Sequence, residues 1–332
     1  MKKYGEICMN IIVTGASGYL GNVLCRLLVQ NNYNVTAIAL DATTTKSLED
    51  LQVKKIDVDI LNSDKICALF ENQDVVIHLA NIIRITKDAD RRMYAVNVEG
   101  LNVVAEAALK NKVKRFIHVS SIHAFSGHPK NEIIDEQREL ALSKWHLDYD
   151  RSKAEAELNL MKFVKRGLSA VIISPTCLVG PYDFEPSLMG QAIKDIFKKK
   201  IAWVLPGGFN YVDVRDIAET LMNSITKGEV GERYILAGEW LTNNALADYI
   251  FKIRGWKGIK IKLPFFIGYL FVRISMLYWK LLNKKVMYSN QSLRHLKFHR
   301  YINDAKARKV LSHKNRPLLD TFKDLRNWLQ ER

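Results

Sequence analysis

The sequence lacks the cysteine pairs that metal modules and disulfide frameworks need. Its four cysteines, at positions 8, 25, 67 and 177, include no CxxC and have no histidine at ligand spacing. Reduced, packed thiols are expected. His295 and His299 fall at i and i+4, yet no Cys or Glu joins them, so no metal is expected. Proline is sparse, seven in 332 residues, and no Pro-rich hinge, low-complexity linker or internal repeat divides the chain. A secretory signal is missing too, since Lys2 and Lys3 lead into Tyr-Gly-Glu instead of an apolar core; a cytoplasmic protein is expected. The longest apolar run, Leu263 to Leu282, is broken by Arg273 and Lys280. Its longest uncharged piece, ten residues, is too short to cross ~30 Å of hydrocarbon as a helix.

The most telling absence is of acid. Residues 1–240 hold 30 Lys and Arg against 30 Asp and Glu, so the net charge of +15 comes from residues 241–332, with 20 against 5. No carboxylate lies between Asp248 and Asp304, where twelve basic residues do. A chain basic throughout would suggest a nucleic-acid binder. Here a neutral body carries a basic C-terminal third with no recognised nucleic-acid module, so nucleic acid is not an expected partner.

What is present is a repeating alternation. Apolar runs of strand length at 10–14, 34–40, 53–58, 74–79, 115–120 and 169–174 are separated by segments of helical period. In the first of these, Leu20, Val23, Leu24, Leu27 and Leu28 form one stripe. The pattern predicts an α/β protein with a parallel sheet covered on both faces. Residues 187–199 read as a helix, Tyr211–Val214 and Arg233–Leu236 as strands, and the chain beyond 240 as helical.

Thr14-Gly15-Ala16-Ser17-Gly18-Tyr19-Leu20-Gly21 joins the first strand to the first helix. Glycines at 15, 18 and 21 allow a tight turn, close backbone approach to a pyrophosphate and close helix-to-strand contact, and the helix start offers N–H groups to phosphate. Tyr149 and Lys153 stand at i and i+4 of a later helix, so phenol and ammonium can face one ligand. An adjacent cation favours the phenolate of a group whose ordinary pKa of ~10 suits it poorly to neutral acid–base work. Ser120 and Ser121 end the strand from Arg115, at the sheet edge where open α/β folds bind ligands.

With these motifs in order, the chain resembles the extended short-chain dehydrogenases/reductases, the NAD-dependent epimerase/dehydratase superfamily. The likeness runs through TGASGYLG (14–21), Asp59-Ile60, VVIHLA (75–80), VNVEG (96–100), HVSS (118–121), YDRSK (149–153), SPTCLVGPYD (174–183), YVDVRDIAE (211–219) and DAKARKVL (304–311). It is most similar to the branch of dihydroflavonol-reductase-like proteins, 3β-hydroxysteroid dehydrogenases and bacterial proteins described as hopanoid-associated sugar epimerases. The resemblance implies a Rossmann-type doubly wound sheet, formed by residues 1–175 with 203–240 returning to it. Residues 176–202 and 241–332 would form a smaller, mostly helical substrate part. It implies Tyr149 as acid–base, Lys153 on the nicotinamide ribose and lowering the Tyr149 pKa, and Ser121 on the substrate oxygen, with Ser120 as the alternative. Cofactor contacts are expected from Gly15, Ser17, Gly18, Tyr19 and Leu20, and near the adenine from Asp59 and Ile60. Leu79, Ala80 and Asn81 are expected by ribose and phosphate, and Pro175 and Thr176 by the carboxamide.

The chain departs from the family at Ser174, where Arg is usual, and at HLAN in place of HLAA. Many NADP-binding relatives carry Arg where this chain has Leu40; Asp41 follows, placed to bond a ribose 2′-hydroxyl, so NAD is preferred over NADP. The stretch Trp203 to Tyr211 has no Arg for a sugar-nucleotide diphosphate, although Lys198–Lys200 or Arg215 could supply charge. An apolar small-molecule substrate is therefore expected, its secondary alcohol and ketone interconverted by hydride transfer. Epimerisation or dehydration of a sugar nucleotide with retained NAD is the alternative, and a cofactor-sensing protein without turnover is a third reading. Residues 257–285, apolar bulk flanked by lysines, read either as a peripheral membrane contact or as an ordinary substrate-domain helix. The oligomeric state stays open, a homodimer among the candidates.

Overall fold

The computed structural model describes residues 9–40, 47–84, 91–199, 201–281, 293, 296 and 300–331. Asp41, His295, His299 and the lysines at 200, 284 and 285 lie outside them. The first half of the chain runs β1 (Asn10–Thr14), α1 (Tyr19–Gln30), β2 (Asn34–Ala39), β3 (Lys54–Asp57), α2 (Ser63–Leu69) and β4 (Val75–His78). Next come α3 (Arg91–Tyr94), a π turn (Ala95–Glu99), α4 (Gly100–Lys110), β5 (Arg115–Val119), α5 (Asp148–Lys165) and β6 (Ala170–Pro175). The second half supplies β7 (Cys177–Val179), α6 (Leu188–Lys198), β8 (Ile201–Val204), β9 (Gly208–Asp213), α7 (Val214–Asn223) and β10 (Arg233–Leu236). It ends with β11 (Glu239–Thr242), α8 (Asn243–Arg254), β12 (Ile259–Lys262), α9 (Phe265–Leu281), α10 (Ala305–Leu311) and α11 (Leu318–Gln330).

Seven parallel strands in the order β10-β6-β5-β4-β1-β2-β3 form the main sheet. Its central strands are apolar at successive positions because both faces are covered. Ile11 and Val13 point into a core shared with Leu24 and Leu28 of α1 and Ile217 and Leu221 of α7. Ile12, between them, points to Ile66 of α2, Val104 of α4 and Leu160 of α5. Strand order reverses between β1 and β4, which opens a crevice at their carboxyl ends.

Outside this sheet, β9 pairs parallel with β7 and antiparallel with β11. β8 and β12 make a separate parallel ribbon, Ile201 opposite Ile259 and Val204 opposite Lys262. Of the returning segment 203–240, β10 joins the main sheet and β9 the second one. The reading of the chain beyond 240 as helical misses β11 and β12. In β12 the sequence Ile-Lys-Ile-Lys alternates with strand period, and Lys260 turns back to Asp248 of α8 at 2.5 Å. Among the described residues no helix is long and apolar enough to cross a membrane.

Two buried imidazoles lie under the crevice. His78 ends β4 and shares a 2.7 Å hydrogen bond between Nδ1 and Thr14 Oγ1; His118 of β5 stacks on it at 5.6 Å and has no hydrogen-bond partner on either ring nitrogen. Burial, aided by the Lys153 ammonium, lowers both pKa values, that of His78 to about 3. Below the ordinary value of ~6.5 the unfolded chain binds more protons than the folded one, so stability is full above that pH and is lost as pH falls toward the folded value. Urea unfolding compared at neutral pH and near pH 5 should show a loss of stability, about 2 kcal/mol of it from His78 and a further part from His118. His118→Phe should make this loss smaller. An unfolding free energy that does not change over the interval would disprove the neutral-histidine pair.

Candidate active site

The loop from β1 to α1 is fixed by close contact. Gly15 has φ +69°, and a Cβ there would sit 2.7 Å from the Ala80 nitrogen, so the turn lies directly on the end of β4. A Cβ at Gly21 would meet the Gly15 carbonyl at 2.2 Å, which seats the first turn of α1 on the loop. That first turn has no side-chain cap and no acid, as suits a helix start that receives phosphate. Tyr19 donates to the Gly180 carbonyl at 2.8 Å and ties the helix start to the loop after β7.

A cleft of about 1290 Å³ runs from this loop across the sheet edge to α9. Gly15, Ser17, Gly18, Tyr19, Leu20, Asp59, Ile60, Leu79, Ala80, Asn81, Ser121, Tyr149, Pro175 and Thr176 all line it, whereas the described Lys153 lies just behind the wall. Asp59 receives Arg92 at 2.7 Å and the Leu61 N–H at 3.0 Å. Leu40, 57% exposed, lines the same end. The volume exceeds that of a single drug-sized pocket, about 300–1,000 Å³.

Tyr149 is 4% exposed at the start of α5. The Ser121 hydroxyl is near enough to the phenol to act on its ionisation, and the His123 ring stands edge-on at 5.9 Å. Burial pushes the phenol well above its usual pKa, opposed by the Ser121 hydroxyl. The expected lowering by Lys153 is not what sets this direction. The Lys153 ammonium donates to the Val119 carbonyl at 3.2 Å, and burial lowers its own pKa to about 8. Ser120 is spoken for on another side: its hydroxyl donates to Glu157 Oε1 at 2.5 Å. Between the two serines, Ser121 is therefore the one beside the phenol.

Three residues of this neighbourhood were not singled out by motif. Glu157, four residues after Lys153, is fully buried and receives Arg233 Nε of β10 at 2.6 Å. Burial raises its pKa and Arg233 pulls it back down. Asn97, in the π turn, accepts from the Ile82 N–H at 2.8 Å and donates to the Ile82 carbonyl and to Ser152 Oγ, which ties the loop after β4 to α5. Single-turn π segments gather at functional sites, and the VNVEG match was the available signal. His123 had no signal beyond its nearness to Ser121.

At the far end the lining is apolar: Met189, Ile196, Trp203, Phe209, Leu246, Ile267 and Val272. Arg215, considered above as a phosphate ligand, is held instead by Asp213 at 2.7 Å and Asp324 at 2.8 Å and does not line the cleft. Among the described residues, Lys199 and Arg92 are the basic groups of the lining, against Asp59, Asp183, Glu185 and Asp195.

Known proteins divide over this cleft. The chain is 30% identical over 257 residues to "Sterol demethylase protein B" of Methylococcus capsulatus, covering 77% of this chain and 78% of that one. It is 26% identical over 246 residues to the dTDP-D-glucose 4,6-dehydratase of Mus musculus, covering 69% and 68%. The solved UDP-glucuronic acid 4-epimerase of Bacillus cereus, in complex with UDP-glucuronic acid and NAD, superposes with a TM-score of 0.77 at 21% identity, over 97% of this chain and 99% of that one, a likeness of fold. These relatives do not separate the dihydroflavonol-reductase and hydroxysteroid branch from the sugar-epimerase branch. The family described as "NAD dependent epimerase/dehydratase family" matches residues 11–237, more than half the chain, so the protein belongs to that family and is an NAD(P)-dependent oxidoreductase or epimerase of the extended short-chain dehydrogenase/reductase superfamily.

Proposed function

We propose that the protein interconverts a secondary alcohol and a ketone on a bulky apolar substrate, of sterol, terpenoid or polyphenol kind. The observation that carries this is the apolar far end of the cleft, where Trp203, Phe209, Ile267 and Val272 offer hydrocarbon and aromatic surface and few groups to bind a diphosphate. Bound NAD(P) supplies the hydride acceptor or donor, and Leu40 at the adenine end, where a 2′-phosphate would want Arg, favours NAD.

The protein's own residues handle the oxygen and its proton. Tyr149 is protonated at rest, because burial holds the phenol neutral, and in that form it donates to a ketone oxygen as hydride arrives at the carbon. In the opposite direction the phenolate takes the alcohol proton. Ser121, beside the phenol in the cleft wall, presents its hydroxyl to the same oxygen. Lys153, held on the Val119 carbonyl, places a positive charge behind the pair and stabilises the phenolate when it forms.

A second reading, epimerisation or dehydration of a nucleotide sugar, draws on named relatives, among which sugar-nucleotide enzymes are the better represented. It requires phosphate ligands, and of the described lining residues Arg92 already pairs with Asp59. Turnover without intact Ser121, Tyr149 and Lys153 is not expected, and the presence of all three weighs against a protein that only senses cofactor.

Steroid, flavonoid and sugar-nucleotide substrates, followed at the NADH absorbance, separate the readings. Apolar alcohols should give NADH; tightly retained NAD with a sugar nucleotide converted and no net NADH would favour the second. On the best substrate, Tyr149→Phe should lower kcat by about 100-fold or more with little change in KM, and equal rates would rule out the acid–base role. Ser121→Ala should lower kcat by roughly tenfold or more. Ser120→Ala should leave kcat within about threefold and cost about 1 kcal/mol of stability through its lost bond to Glu157. The reverse ranking of the two serines would overturn the assignment.

A further inference from the structure

We propose that α9 docks on an anionic phospholipid surface, lying in its plane while its inner face roofs the cleft. Phe266, Leu270 and Ile274, at i, i+4 and i+8, are 70%, 57% and 60% exposed and form one stripe along the helix. The opposite side carries Gly268 and Val272, both buried, and Val272 packs with Leu293 and Leu296. Ile267, Gly268 and Val272 line the cleft. The helix is thus apolar on two sides for two different neighbours, one of them outside the molecule.

Charge selects the occupant. Arg273 is exposed at the margin of the stripe, Lys262 is exposed just before the helix, and Lys257 is exposed before β12. Lys260 is the exception, neutralised by Asp248. With no carboxylate in the sequence from 249 to 303, nothing there repels an anionic surface, and each Lys or Arg near such a surface strengthens partitioning about fivefold. A second copy of this chain would bring the same positive charge to the same stripe. A bilayer with anionic lipid complements both the apolar rows and the cations. Seventeen residues span about 25 Å as a helix, short of the ~30 Å hydrocarbon layer, and Arg273 interrupts them, so α9 lies on the surface and does not cross it. An apolar molecule dissolved in the outer acyl layer would then reach the cleft past one helix, without passing through water.

The test is co-sedimentation of the full chain with vesicles of phosphatidylcholine alone or mixed with phosphatidylglycerol, at low and high salt, with no substrate present. The wild type should pellet with the mixed vesicles at low salt and be released by high salt. The variant Phe266→Ser/Leu270→Ser/Ile274→Ser should bind at least about tenfold more weakly, since three apolar side chains no longer enter the acyl boundary. Its thermal midpoint should stay near that of the wild type because these side chains are exposed. Arg273→Glu should weaken binding to the mixed vesicles only. Failure of the wild type to pellet at low salt overturns the proposal. So does a wild-type dimer that the triple variant splits while vesicle binding is unchanged, which would make the stripe a contact between copies. Because no substrate enters the assay, this inference and the proposed reaction stand or fall separately.

Discussion

The candidate site depends on one buried carboxylate. Glu157 has no exposed surface, yet it accepts from Ser120 at the end of β5 and from Arg233 on β10, two strands away across the sheet. Tyr149, Lys153 and Glu157 recur at every fourth position of α5, so the face that bears the phenol and the ammonium is the face this carboxylate locks to the sheet. Removing the Arg233 guanidinium would strand a charge in the interior, at a cost of about 3–5 kcal/mol. With α5 held in register, the Lys153 ammonium falls on the Val119 carbonyl and the Tyr149 phenol on Ser121. The strand end and the helix are thereby one rigid unit, as a site that must place a proton donor within hydrogen-bond reach requires.

Much of this was legible in the sequence because it depends on local pattern. The strands β1 to β6 announce themselves as apolar runs, and β10 as a separate short strand, since a parallel sheet covered on both faces needs little alternation. Gly15 and Gly21 are dictated by distances of 2.7 and 2.2 Å that any side chain would violate, and such positions write themselves into the sequence as glycine. The Tyr149 and Lys153 pairing follows from helix period alone.

What was not legible joins residues far apart in the chain. Ser174 replaces the Arg usual in the family, yet a guanidinium reaches Glu157 from Arg233, 76 residues away, and no spacing rule connects them. The β8–β12 ribbon escaped because each strand is four residues long and the lysines of β12 look like surface charge until Lys260 is seen turned toward Asp248. The choice between Ser120 and Ser121 was likewise open in the sequence, since adjacent strand residues point to opposite faces and only the position of Glu157 says which face is which.

The π turn at Ala95–Glu99 has a consequence for how this chain can vary. A π turn amounts to one residue more than an α-helix needs, and it rotates everything before it relative to everything after it by the ~100° that one helical residue occupies. Asn97 sits inside that rotation, joined to Ile82 on one side and Ser152 on the other. The helix from Arg91 to Lys110 is therefore length-locked: side chains along it are free to drift, but the number of residues between Met93 and Leu101 is not, because a single deletion would keep the helix and lose the tie.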